Sequence, residues 1–294
     1  MAETILITGA TGTVGSEVVK QLLSAKGERK NIKVAARSSN DSTFRNLGVQ
    51  GLELDYNKPD TLSAALSGVD KLFLLTPFQS NMVDLTSNLV NEAKRAGVKY
   101  IVKQSVLGAD DSEQAITPSR LHRQAEKVIE ESGIPFTFLR PNFFMQNFVT
   151  FYSNFIKTQG AFYVPAGDAK ASFVDVRDIA AVAVQALGKN GESKHIGKAY
   201  DITGAEALSY GEAAEILSKE LAKKVNYVNI SDEDTRKGMK DMGADEWTIN
   251  SMIELFGIAR AGYLSEISTA VKQVTGNKPT TFSQFARNYA SAFK

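Results

Sequence analysis

Gly9-Ala10-Thr11-Gly12-Thr13-Val14-Gly15 follows the apolar run Ile5-Leu6-Ile7 directly and leads straight into a helical pattern. This order suits backbone chemistry. A small residue lets the chain turn sharply out of a strand, Gly12 lets the backbone come close to a pyrophosphate, and Gly15 lets the helix pack tightly on the sheet. Free amides at the helix N-terminus then face the phosphates. The spacing is G-x-x-G-x-x-G rather than the dehydrogenase G-x-G-x-x-G, and no Gly-Lys-Ser/Thr follows, which excludes a P-loop. Arg37 ends the second apolar run, Ile32-Lys33-Val34-Ala35. An NAD-specific protein usually places Asp or Glu there for the ribose 2′-hydroxyl. A planar guanidinium suits a 2′-phosphate instead and can stack on adenine, so NADP(H) is the expected cofactor. Asp55 and Tyr56, after the third strand, are candidates to cover the adenine, with a simple turn as the other reading.

Acid–base candidates are few. His122-Arg123-Gln124-Ala125-Glu126 puts His122 and Glu126 on one helical face at i,i+4. His122 is the candidate proton donor, and a surface histidine paired with Glu126 is the competing reading. Ser105 follows the fifth strand, as an active-site serine or as a turn cap. Arg140, at a strand end before Pro141, reads as structural. No G-x-S-x-G elbow is present, which disfavours nucleophilic hydrolysis. Phe143, Phe144, Phe148 and Tyr152 offer flat apolar walls for an acceptor, or else core packing. Phe78 and Gln79, after the fourth strand, are lid candidates.

The 34 basic and 33 acidic residues balance, so no electrostatic footprint for nucleic acid or an anionic membrane is visible. The chain has no cysteine and only His122 and His195, which argues against thiolate or multi-histidine metal sites. No run of 18 apolar residues and no leader pattern appear, so a cytoplasmic protein is expected.

Six strands are expected to position these residues: Ile5–Ile7, Ile32–Ala35, Gly51–Leu54, Lys71–Leu75, Tyr100–Val102 and Phe136–Leu139. Helical patterns stand among them at Val14–Leu23, Leu85–Ala96 and Ser119–Glu131. Strands alternating with helices imply an α/β, doubly wound parallel-sheet Rossmann fold. After Arg140 the text becomes aromatic and then mostly helical: Ile179–Leu187, Tyr210–Leu221, Glu233–Met242, Glu246–Phe256, Glu266–Val274 and Phe282–Ala292. The expected division is a nucleotide-binding core over 1–157, to which 171–203 returns, and a smaller, mostly helical C-terminal lobe over 158–294.

Gly9 to Gly15, Arg37, Leu54-Asp55-Tyr56, Leu139-Arg140-Pro141-Asn142 and the run Phe173 to Ala180 together resemble the NmrA-like branch of the atypical short-chain dehydrogenase/reductases. Within it, the likeness is to NADPH-dependent quinone reductases and triphenylmethane-dye reductases. It extends to Lys278-Pro279-Thr280-Thr281-Phe282. The resemblance implies that Thr8 to Gly15 hold the pyrophosphate and Arg37 the 2′-phosphate. It implies Leu75, Thr76 and Pro77 beside the nicotinamide ribose, and Lys103 to Val106, Ser105 included, on the nicotinamide side. Pro141, Asn142, Phe143 and Phe144 would pack near the ring, and Asp175 to Asp178 would be mainly structural. One departure stands out. The Tyr-x-x-x-Lys pair, with which typical members make a phenol an acid or base, is missing. The expected function is hydride transfer from NADPH to a quinone or similar conjugated small molecule. The alternative is a non-catalytic NAD(P)-sensing regulator with a protein partner. A monomer or homodimer is expected.

Overall fold

The computed structural model describes residues 3–25, 31–37, 44, 49–111, 116–188 and 191–294. The chain divides into two compact units. The first comprises Met1–Asp110, Arg120–Arg140 and Ile179–Tyr200; the second comprises Asp111–Ser119, Pro141–Asp178 and Asp201–Lys294.

The first unit is built on strands β1 (Thr4–Ile7), β2 (Asn31–Ala36), β3 (Gln50–Glu53), β4 (Lys71–Leu74), β5 (Tyr100–Gln104), β6 (Phe136–Pro141) and β9 (Lys198–Ile202). They form one seven-stranded sheet in the order β3-β2-β1-β4-β5-β6-β9. The pairs from β3 through β6 are all parallel. Helices α1 (Thr13–Ser24), α2 (Pro59–Leu66), α3 (Met82–Arg95) and α4 (Thr117–Ser132) connect them. Every residue of β1 and β4 is buried, which is why these central strands read as apolar runs after their first residues, Thr4 and Lys71. α3 buries Leu85, Leu89, Val90 and Ala93 at helical spacing, with Asp84 in its first turn and Lys94 and Arg95 in its last, matching the helix dipole. Strand order reverses between β1 and β4. Ligands of open parallel sheets bind outside the carboxyl ends of strands at such a switch point.

In the second unit, α5 (Ser153–Gln159) is preceded by a π-helical turn, Phe148–Tyr152. β7 (Ala161–Val164) pairs in parallel with β11 (Asn226–Asn229), and β8 (Lys170–Ala171) antiparallel with β10 (Leu208–Ser209). Helix α8 (Tyr210–Leu221), α9 (Asp232–Asp241) and α12 (Phe282–Asn288) each start with a reciprocal capping box, at Ser209/Glu212, Ser231/Asp234 and Thr281/Gln284. α6 (Val176–Leu187) and α7 (Gly191–His195) precede β9, while α10 (Glu246–Arg260) and α11 (Ala270–Thr275) complete the set.

The expected boundary at 157 falls inside the second unit. Phe143, Phe148 and Tyr152 pack on Phe162 and Phe173 there, and the segment belonging to the first unit is Ile179–Tyr200. The helix expected over 266–274 is the shorter α11, and the last one breaks after Asn288 into a 3-10 turn, Ala290–Phe293.

Candidate functional site

The glycine loop is held tight by its own backbone. Gly9 is in the left-handed region at φ 61°, and the Gly12 amide donates to the Gly9 carbonyl at 2.9 Å. A side chain at Gly15 would place its Cβ 2.2 Å from the Gly9 oxygen. α1 begins at Thr13 with no side-chain cap and no acidic residue in its first turn. Thr11, Gly12 and Thr13 are exposed, while Val14 and Gly15 are buried. The neighbouring strand ends are tied to this loop. The Leu75 amide donates to Thr8 Oγ1 at 2.8 Å, and the Tyr56 hydroxyl donates to the Leu75 carbonyl at 2.6 Å.

Arg37 is exposed at the end of β2. Asp55 is close enough to feel it: its carboxyl is held below the ordinary range, first by the Asn57 amide and also by Lys58 and Arg37. Tyr56 is buried in the core with Leu54 and Leu62, and its burial pushes the phenol up. Its ring is therefore core, and its contribution to the loop is the hydrogen bond to Leu75. Leu75, Thr76, Pro77 and Gln79 are half-buried and Phe78 is exposed. Thr76 Oγ1 lies 3.0 Å from Thr86 Oγ1, and Gln79 Nε2 donates to Asn81 Oδ1 at 2.8 Å.

At the end of β5 the side chains join α4 and β6 in a buried polar cluster. Lys103 is fully buried and turns its ammonium to His122 Nδ1 at 3.0 Å and to the Gln104 carbonyl at 2.9 Å. Burial brings Lys103 down to about 7, against the pull of Glu126 and with the help of Arg140. His122 is half-buried, and burial together with the Lys103 charge holds its ring well below the ordinary imidazole value. The His122–Glu126 pair is not formed. Glu126, also fully buried, accepts from Arg140 Nε at 3.0 Å and Nη2 at 2.8 Å, with Arg123 Nη1 at 3.3 Å. Arg140 also pairs with Asp110. Burial acts to lower the Arg140 pKa, but these carboxylates outweigh it and the pKa is raised. Ser105 Oγ and Gln104 Oε1 are buried with no hydrogen-bond partner, two of three such side-chain atoms among the described residues.

In the second unit, Asn142 is fixed by four hydrogen bonds: its Nδ2 donates to Ser172 Oγ and the Leu264 carbonyl, Oδ1 accepts from the Phe143 amide, and its own amide donates to Ile202. Pro141 is buried beside it; Phe143 packs on Phe173 and Phe256, and Phe144 bridges to Val174. Phe148 is sealed among Tyr152, Phe162, Phe173, Tyr210 and Phe282, which leaves no open face for an acceptor. Tyr152 stacks on Phe162, and burial raises its pKa. Asp175 and Asp178 are structural: Asp175 holds Gln146 and Arg177, and Asp178 holds Thr280. Among the described residues, no cluster of potential metal ligands occurs, and no helix is long and apolar enough to cross a membrane.

The model of the NmrA-like family matches residues 1–286. This chain belongs to the NmrA-like family. An NAD(P)H azoreductase of Xenophilus azovorans is 41% identical across 98% of this chain and 99% of its own length. A solved NADPH-dependent quinone oxidoreductase of Escherichia coli, complexed with NADPH, superposes with a TM-score of 0.83 at 29% identity, covering 97% and 99% of the two chains. The Citrobacter triphenylmethane reductase complexed with NADP(H) gives 0.84 at 28% identity, covering 98% and 99%.

Sequence reasoning did not foresee the Lys103–His122 contact or the double hold of Arg140 on Glu126. The resemblance places Lys103 on the nicotinamide side; from the residues alone the signal is a lysine in an apolar strand, a residue type that is rarely buried without a partner.

Proposed function

We propose that this NAD(P)H-dependent reductase takes NADPH as its donor and reduces a flat, conjugated acceptor, either a quinone or an azo compound. The observation that carries the reading is a glycine loop closed to side chains at the switch point of a parallel sheet, with partnerless polar atoms buried at the end of β5, two strands along. These residues fit a dinucleotide. The uncapped first turn of α1 suits the pyrophosphate and Arg37 the 2′-phosphate. Gln104 Oε1 and Ser105 Oγ would give an acceptor and a hydroxyl to a carboxamide. Bound NADPH supplies a hydride, and the acceptor also needs one proton.

The protein's share is positional. Thr8 and Tyr56 fix Leu75, and with it the turn through Thr76 and Pro77, so that donor and acceptor meet in one geometry. Exposed Phe78 and half-buried Gln79 stand next along that turn as an apolar wall and a hydrogen-bonding group for the acceptor. His122 is the proton donor. Its likeness over full length to an azoreductase and a quinone oxidoreductase supports the acceptor class, and the NADPH and NADP(H) complexes of two of its structural relatives support the donor.

The test is NADPH consumption by the purified protein with a panel of quinones and azo dyes, with NADH alongside. Turnover above the protein-free rate, faster with NADPH, is expected. Tight NADP(H) binding by calorimetry without turnover of any acceptor would refute the reductase and point to a sensor.

A further inference from the structure

Lys103 is the costliest side chain in the first unit to explain by packing. A lysine sealed from water normally meets a carboxylate, or is replaced by an apolar residue of similar shape. Here the nearby carboxylate is spoken for: both oxygens of Glu126 are held by Arg140. Among the described residues, the one side chain within hydrogen-bond reach of Lys103 Nζ is the His122 ring. An ammonium can only donate, so Nδ1 of that ring accepts, and the ring's own proton is on Nε2. The half-buried ring thus links a sealed proton source to its outer nitrogen.

Resting on the reductase reading above, we propose that Lys103 is the proton store of the reaction and that His122 is the relay it discharges through. When the acceptor takes the hydride at one atom, His122 Nε2 gives its proton to the conjugate atom. That atom is the second nitrogen of an azo group, which becomes a hydrazine N–H, or the far oxygen of a quinone, which becomes a hydroxyl. His122 Nδ1 simultaneously takes a proton from the Lys103 ammonium. The acceptor gains one hydride and one proton, the ring stays neutral with its proton moved to Nδ1, and Lys103 is left as an amine. The store refills in reverse: Nε2 takes a proton from solvent and Nδ1 returns its own to Lys103. Lys103 acts through the ring and touches no reacting atom.

The surrounding charges permit this. The charges that act on Lys103 are Glu126 from α4 and Arg140 from β6, one of each sign, so no surplus of negative charge beside it locks the proton on; beyond them Arg123 pairs with Glu126 and Glu130, and Asp110 with Arg140. Burial brings Lys103 down to about 7, where it is loaded and unloaded within the neutral range.

The experiment compares acceptors that differ in their need for a proton. An azo dye or a quinone takes a hydride and a proton; a cationic triphenylmethane dye takes a hydride alone, its carbocation becoming a neutral C–H. In the wild type, kcat for the first kind falls as pH rises through about 7. Lys103→Met lowers it on the order of 10²-fold and flattens that pH profile. The loss with the cationic dye is at least about tenfold smaller. His122→Gln, which still accepts from Lys103 but cannot relay, shows the same selectivity and serves if Lys103→Met does not fold. A readout without turnover is nitrogen NMR of the free protein. With two histidines in the chain, His195→Gln assigns the spectrum, and His122 shows a bare Nδ1 and a protonated Nε2 that lose their coupling to pH near 7 in Lys103→Met. Equal losses with both acceptor classes, or a proton on Nδ1 in the resting protein, overturn the relay while leaving the reductase standing. A wild type inert with every acceptor overturns both.

Discussion

Replacing Gly15 by alanine adds one methyl group where the backbone leaves no room for it. The new Cβ would lie 2.2 Å from the Gly9 oxygen, 2.8 Å from the Gly9 carbonyl carbon and 3.1 Å from Ala10 Cα. All three are backbone atoms of a turn that is itself hydrogen-bonded, so none can swing aside as a side chain would. Restoring a carbon–oxygen separation of about 3.3 Å moves the start of α1 by about 1 Å. Overpacking of this kind costs about 1–3 kcal/mol, and the better helix propensity of alanine offsets about 1 kcal/mol. The expected net loss is about 0–2 kcal/mol. The larger effect is on the amides that face the phosphates, and the NADPH Kd should rise about 10- to 100-fold, or about 1.4–2.8 kcal/mol. Gly257→Ala is the matching control. Gly257 is helical, and an added Cβ meets nothing within 4 Å, so the same methyl group should stabilise by about 0.5–1 kcal/mol. Thermal unfolding gives the stabilities and calorimetry the affinity. A Gly15→Ala protein as stable as the wild type, with unchanged NADPH affinity, would refute the argument.

Other consequences can be checked in the same way. Glu126→Ala leaves Arg140 buried beside Asp110 alone and should cost about 3–5 kcal/mol in urea unfolding, whereas the double change Glu126→Met, Arg140→Met should recover most of it. Arg37→Ala should weaken NADPH binding by about 1.5–3 kcal/mol while leaving NADH binding nearly unchanged, since only the former carries a 2′-phosphate. Burial raises Asp178 to about 6, against the hydrogen bonds from Thr280. A carboxyl raised in the folded state favours the fold when protonated. Its contribution is therefore full below the unfolded value of about 3.8 and is lost as pH rises through about 6. Asp178→Asn keeps the Thr280 contacts and should flatten the dependence of Tm on pH across that window; an unaltered slope would place the titration elsewhere.

The parts of the fold legible in the sequence are those whose burial is complete. β1, β4 and β5 are apolar apart from Thr4, Lys71, Lys103 and Gln104, and the glycine loop announces both the strand before it and the helix after it. β9 went unread because Lys-Ala-Tyr-Asp-Ile, with only Ile202 buried, carries neither a run nor a clean alternation. α2 went unread because eight residues with three buried positions are too short for a period to emerge. At the site, i,i+4 spacing correctly put His122 and Glu126 on one face of α4 but could not choose their partners. Lys103 and Arg140 arrive from β5 and β6, and a buried guanidinium with two donors outcompetes a neutral imidazole for the carboxylate. Tyr56 and Phe148 show the same limit: an aromatic residue reads alike whether it walls a ligand or fills a core.

The position of β9 bears on how the chain is made. β6 ends at Pro141, yet its outer neighbour in the sheet is formed by residues 198–202. During synthesis, the ribosome must add residues 142–197 before that neighbour exists, which takes roughly 3–10 s. Through that interval the nascent sheet presents the open hydrogen-bonding edge of Phe136–Pro141, most of whose residues are buried in the finished protein. Substitutions that slow translation across 142–197 should therefore lower the soluble yield without changing the stability of the molecules that do fold.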